Sequence, residues 1–122
     1  MYELTVKSSF AAAHRLRNYG GKCENIHGHN WVVEMSVTSE SLNSAGLAID
    51  FKDLKTALES ALQLLDHRML NEVAPFDEIN PSSENIARWL YEDLAERLRE
   101  YSVLMSRVTI WENRDCCAAY WE

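Results

Sequence analysis

The sequence predicts an α+β domain with the element order ββααββ. Three observations lead there: apolar and polar residues alternate near both ends of the chain, apolar residues recur at helical spacing in the middle, and segments containing Gly or Pro separate these runs.

In residues 2–14, Tyr2, Leu4, Val6, Phe10, Ala12 and His14 share one parity, and Glu3, Thr5, Lys7 and Ser9 share the other. This period-2 pattern is that of a half-buried strand, and His14 closes its apolar face. A loop with Asn18, Gly20 and Gly21 follows. A second alternating run then puts His27, His29, Trp31, Val33, Met35 and Val37 on one face, so the histidines again end the apolar side. Two such strands joined by roughly a dozen residues read as an antiparallel pair with a wide connection, which places His14 near His27 and His29.

From residue 51 the period changes. Phe51, Leu54, Leu58, Ala61, Leu62 and Leu65 form a helical stripe behind Asp50, a suitable N-cap, and the helix is expected to end near Asp66 and His67. After Pro75 and Pro81, a second helix is expected to start at Ser82 or Ser83, with Ile86, Leu90, Leu94 and Leu98 on one stripe. Residues 103–112 and 116–121 read as two closing strands around a turn at Asn113-Arg114-Asp115, with Val108, Ile110 and Glu112 on one parity.

The 122 residues suit one domain, residues 1–122. Twelve Lys and Arg against nineteen Asp and Glu give a net charge of −7, which argues against a nucleic-acid or anionic-membrane partner. No run approaches the roughly 18 apolar residues of a membrane span, and no signal sequence is evident. Three cysteines, two of them adjacent, cannot make a disulfide framework, so a reducing, cytoplasmic setting is expected. Lys7, Arg15, Arg17 and Lys22 fall in a stretch without acidic residues and form a local anion-attracting patch, or simply a solvated loop.

The strongest chemical signal is His27-Gly28-His29 together with His14. Histidines two apart on a strand point to the same side, about 6–7 Å apart. A third on the neighbouring strand completes a three-nitrogen cradle with an open fourth position, the arrangement of catalytic zinc. Cys23 lies four residues before His27, where a thiol beside a dication has a lowered pKa. It can be a base or nucleophile, a fourth ligand, or an inert thiol. Asp66-His67 is either a dyad in which the carboxylate orients the imidazole or a histidine at a helix C-terminus. Glu112, on an apolar face, needs a partner: a ligand N–H donor or a nearby arginine. Cys116 and Cys117 are expected to be packing residues.

Taken in order, Phe10-Ala11-Ala12-Ala13-His14-Arg15-Leu16, Cys23-Glu24-Asn25-Ile26-His27-Gly28-His29-Asn30, Asp66-His67, Pro81-Ser82-Ser83-Glu84-Asn85 and Trp111-Glu112 followed by Tyr120 resemble the 6-pyruvoyltetrahydropterin and 6-carboxytetrahydropterin synthase family over nearly the whole chain. The resemblance implies zinc ligands at His14, His27 and His29, a catalytic cysteine at Cys23, an Asp-His dyad at Asp66 and His67, and a pterin-anchoring carboxylate at Glu112. It also implies pterin contacts at Ser82 and Ser83, where the family commonly has threonine. The implied fold is a tunnelling-fold subunit, a four-stranded antiparallel sheet with two helices on one face, whose barrel is completed in a homohexamer of two stacked trimers.

Three residues separate Cys23 from His27, a short gap resembling the bacterial 6-carboxytetrahydropterin synthases. The implied reaction takes 7,8-dihydroneopterin triphosphate to 6-carboxytetrahydropterin, acetaldehyde and triphosphate, on the route to queuosine. The alternatives are the pyruvoyl product or another pterin side-chain cleavage on the same scaffold, and a non-enzymatic zinc- or pterin-binding module.

Overall fold

A computed structural model describes residues 1–18 and 24–122. Strands β1 (Tyr2–His14) and β2 (His27–Ser39) pair antiparallel along their full length, from Tyr2 opposite Ser39 to His14 opposite His27. Strict alternation explains this register: Trp31, Val33, Met35 and Val37 are all fully buried beneath the helices, and their neighbours in β2 are half-buried on the other face. A slip of one residue would expose the whole set.

Helix α1 (Phe51–Leu62) starts at Asp50, whose carboxylate accepts from the Lys52 N–H at 2.8 Å, and it buries Leu54, Leu58, Ala61 and Leu62. The α-helix stops at Leu62, earlier than the apolar stripe suggests. Leu65 remains buried, but in a run of turns that carries the chain to His67. Helix α2 (Ser83–Arg97) has Ser82 as its N-cap, with Oγ accepting from the Asn85 N–H at 3.2 Å. Both helices lie on one face of the sheet, α1 against β1 and α2 against the closing strands.

The sheet differs from expectation in one respect: it has five strands and is mixed. The two-residue strand β3 (Arg68–Met69) pairs in parallel with Ala12 and Ala13, giving the order β3-β1-β2-β4-β5 with β4 (Leu104–Asn113) and β5 (Cys116–Tyr120). Two residues are too few to carry a period-2 signal.

Strand β4 carries two irregularities. Its register with β2 shifts so that Ser106 is the extra residue, and its register with β5 shifts at Glu112. Such bulges re-aim side chains. Cys116 and Cys117, expected to be packing residues, are both exposed on the terminal strand β5, whose outer edge no further strand covers among the described residues. Among the described residues, no helix is long and apolar enough to cross a membrane.

Because the Asp50 carboxylate satisfies an N–H that has no partner within α1, Asp50→Ala is expected to lower stability by about 1 kcal/mol. Chemical denaturation would show this as a lower midpoint at unchanged slope.

Candidate metal centre

The pairing of β1 and β2 builds the centre. His14 sits opposite His27 and Ala12 opposite His29, so the three rings occupy adjoining places on one face at the end of the strand pair. Their centroids are 4.7, 4.8 and 5.3 Å apart. Fully buried Trp31 forms the floor, packing edge-on against His14 and His29, and its indole N–H donates to the Ala12 carbonyl at 3.2 Å. Ala12, small and opposite His29, leaves room for the rings.

Glu112 joins them. The β2–β4 register pairs Val32 with Trp111, and one step further Glu112 comes beside Trp31, diagonal to His29 on the same face. Its Oε1 lies 3.2 Å from His14 Nε2 and 3.3 Å from His29 Nε2. The four donor atoms all fall within 4.8 Å of one another.

The hydrogen bonds around this cluster show what it lacks. His14 Nδ1 faces the Pro81 carbonyl at 2.8 Å, and His27 Nδ1 faces the Asn25 carbonyl at 2.8 Å. A ring nitrogen facing a carbonyl oxygen must carry the hydrogen, so both neutral rings turn a lone pair inward at Nε2. Those two Nε2 atoms are 3.1 Å apart, and between neutral rings of this tautomer the contact is no hydrogen bond. The Glu112 carboxylate is also an acceptor, and His29 Nε2 is buried without a hydrogen-bond partner.

Several inward lone pairs repel unless a proton or a cation lies among them. The donor set therefore fits a divalent metal of the kind that imidazole and carboxylate bind, and carbonyls orienting the remote ring nitrogens are the usual support for such ligands. Burial is the main cause that holds the His29 pKa below the ordinary histidine value. The Glu112 carboxylate opposes this shift, and His14 and His27 reinforce it.

Asp66 and His67 approach from the other edge of β1. Asp66 Oδ1 accepts from the Ala11 N–H at 2.9 Å, and the His67 N–H donates to the Ala11 carbonyl at 2.6 Å. His67 Nδ1 lies 3.0 Å from Asp66 Oδ2, and the ring is exposed. The Ala11 N–H, and after it the His67 ring, hold the Asp66 carboxyl below its usual pKa. His67 takes a left-handed backbone, φ 58°, which turns the chain out of the helix into β3.

His67, Arg68, His29 and Gly28 line one shallow cleft of about 490 Å³. A Cβ placed on Gly28 would meet only the Ala12 carbonyl, at 3.8 Å, so packing within the chain does not demand glycine there.

The predicted residues thus fall into three groups. His14, His27, His29 and Glu112 converge, and Asp66 and His67 share a cleft with His29. Ser82 and Ser83 open α2 next to Pro81, which touches His14, and the Ser82 hydroxyl is already engaged as the cap. Cys23 and Lys22 lie outside the described residues.

Arg17, counted in the basic patch, is not free. Its guanidinium donates to the carbonyls of Phe76, Asp77 and Ile79, which fixes a loop. Sequence reasoning missed the Pro81 and Asn25 carbonyls, which belong to the backbone and carry no residue-type signal.

Residues 3–122 match the protein family described as 6-pyruvoyl tetrahydropterin synthase. The chain is similar to the 6-carboxy-5,6,7,8-tetrahydropterin synthase of Synechocystis sp., with 35% identity over 101 residues, 79% of this chain and 77% of the relative. It is also similar to the dihydroneopterin monophosphate aldolase of Pyrococcus furiosus, with 33% identity over 109 residues, 89% of this chain and 88% of the relative. The solved 6-pyruvoyl tetrahydropterin synthase of Caenorhabditis elegans superposes with a TM-score of 0.85 at 29% identity, covering 99% of this chain and 95% of that one.

Zinc added to chelator-stripped protein is expected to stabilise it by about 2.7 kcal/mol at a hundredfold excess over Kd, read as a rise in Tm. His14→Ala and His29→Ala should remove most of that rise, and a wild type indifferent to zinc near neutral pH would refute the site. In the metal-free protein the depressed His29 pKa makes the unfolded chain take up its proton first. Its contribution to stability is therefore present above 6.5 and lost as the pH falls through the lower folded-state value.

Proposed function

The chain belongs to the 6-pyruvoyl tetrahydropterin synthase family, and on that footing we propose that it is a zinc-dependent lyase converting 7,8-dihydroneopterin triphosphate to 6-carboxytetrahydropterin. Acetaldehyde and triphosphate are released, one water is consumed, and the product feeds queuosine synthesis in the cytoplasm. The observation that carries the reading is the convergence of His14, His27 and His29 as a three-nitrogen cradle with Glu112 at its rim. The short Cys23–His27 spacing and the similarity to a 6-carboxytetrahydropterin synthase favour the carboxy product.

His14, His27 and His29 would hold zinc, which supplies Lewis-acid polarisation of the substrate's side-chain hydroxyls. The other roles fall to the chain itself. Glu112 would accept N–H bonds from the pterin ring and fix its register, and Ser82 and Ser83 would add hydroxyl contacts at the start of α2. Cys23 as thiolate would move protons at the side-chain carbons. His67, oriented by an ionised Asp66, would be its partner acid or base on the cleft side. The assembly proposed is a homohexamer of two stacked trimers.

Glu112 bears on both metal and substrate, and one variant separates the roles. If it anchors the pterin, Glu112→Gln keeps most of the zinc affinity and raises KM. If it is a fourth ligand, zinc affinity falls and the site is of the closed, structural kind.

The principal test is incubation of the zinc-loaded protein with 7,8-dihydroneopterin triphosphate and identification of the products. Acetaldehyde with the 6-carboxy product is expected. A pyruvoyl product would move the chain to the other branch, a two-carbon aldehyde fragment still carrying the triphosphate would indicate aldolase-type cleavage, and no turnover would leave a binding module. Asp66→Asn and Cys23→Ala are each expected to reduce kcat by about 10²–10⁴-fold with zinc retained.

A further inference from the structure

We propose that Asn80 is a positioning residue of the metal centre. It locks the segment after β1 against the segment before α2, so that the Pro81 carbonyl holds His14 in the tautomer that turns Nε2 inward. This rests on the metal reading above and extends it to a residue outside the ligand set.

All the polar atoms that Asn80 can use for this purpose are engaged. Its side-chain oxygen accepts from the Arg17 N–H at 2.7 Å, and its amide nitrogen donates to the Arg17 carbonyl at 2.9 Å. The two bonds copy one rung of an antiparallel ladder where the strand has already ended. The Asn80 carbonyl accepts from the Asn85 side chain at 2.9 Å, which ties the same residue to the first turn of α2.

Arg17 reinforces the lock, since its guanidinium gathers the carbonyls of Phe76, Asp77 and Ile79 from the chain leading into Asn80. Asn71 repeats the clasp one step closer to His14, with two 2.9 Å bonds to the Arg15 N–H and carbonyl. Pro81, next after Asn80, then presents its carbonyl to His14 Nδ1 at 2.8 Å, and both residues are buried.

Proline has no N–H with which to anchor itself. Its carbonyl therefore depends on its neighbours for direction, and Asn80 is fixed through both ends of its side-chain amide and through its own carbonyl. Released, the carbonyl would lose its aim, and His14 could carry its hydrogen on Nε2, where it blocks a ligand lone pair.

Two readouts test the idea on the full chain. The first is zinc affinity by competition with a chromophoric chelator. Asn80→Ala is expected to bind about 10–100-fold more weakly, the usual effect of losing support behind a metal-bound histidine. The second is the His14 tautomer in the metal-free protein by ¹⁵N NMR of the ring, with Nδ1–H expected in the wild type and Nε2–H appearing in the variant.

Asn43→Ala is the control. It also removes two side-chain bonds, those accepted from the Ala45 and Leu47 N–H groups in an exposed turn, and it should lower stability without moving either readout. If Asn80→Ala does not fold, Asn80→Asp keeps the acceptor, loses the donor, and should fall between. Unchanged zinc affinity and tautomer in the Asn80 variants, or equal changes in Asn43→Ala, would overturn the proposal. A wild type that binds no zinc would strike the functional reading, and the tautomer comparison would still decide the role of Asn80.

Discussion

The pairing register of β1 with β2 is the constraint on which the rest of this structure depends. It sets His14 against His27 and Ala12 against His29, and it buries Trp31, Val33, Met35 and Val37 beneath the helices. The same alternation serves core and site, because the histidines simply continue the apolar parity past the end of the core. A slip of β2 by one residue would turn His27, His29 and four core side chains to the opposite face together, away from His14 on β1. Hydrophobic burial thus enforces the geometry of a polar cluster that has little reason to assemble by itself.

That cluster opposes folding in the absence of a cation. Inward lone pairs on His14 and His27 and a carboxylate oxygen of Glu112 crowd one space, and His29 contributes a buried nitrogen with no partner. The surroundings offset this. Trp31 lies fully buried below, stacked in parallel on Phe10 with centroids 5.8 Å apart, and carbonyls of Asn25 and Pro81 satisfy the outer ring nitrogens. Aromatic contacts of this kind contribute about 0.5–1.5 kcal/mol each beyond the area they bury. The site is held open by packing that does not need the metal, which is what preorganisation means at the level of side chains.

Much of this was legible in the sequence because it follows from period. Both long strands, both helix starts, the closing hairpin and the common face of His14, His27 and His29 all rest on alternation, helical stripes and capping residues. The rest depends on contacts between distant parts of the chain. Strand β3 has only two residues and exists because Asp66 and His67 dock on Ala11. The face of Glu112 follows from its parity with Val108 and Ile110, but its nearness to the histidines is a property of the β2–β4 register, invisible in either strand alone. Asn71 and Asn80 clasp backbone 56 and 63 positions away, and an asparagine shows no sign of its partner in sequence. Arg17 is a similar case: composition left it between an anion-attracting patch and a solvated loop, and gave no sign of the three carbonyls that hold its guanidinium.

Strand β1 also joins the two halves of the proposed chemistry. The Ala11 peptide binds Asp66 through its N–H and His67 through its carbonyl, and His14 follows three residues later, about 10 Å along the strand at the usual rise. Asp66 divides its two oxygens between the Ala11 N–H and the His67 ring, and both contacts favour the charged carboxylate. A carboxyl whose charged form is favoured carries a proton less readily. The imidazole beside it is exposed and lines a cleft together with His29. In the proposed reaction the mobile proton is therefore assigned to His67, with Asp66 fixing the ring's direction.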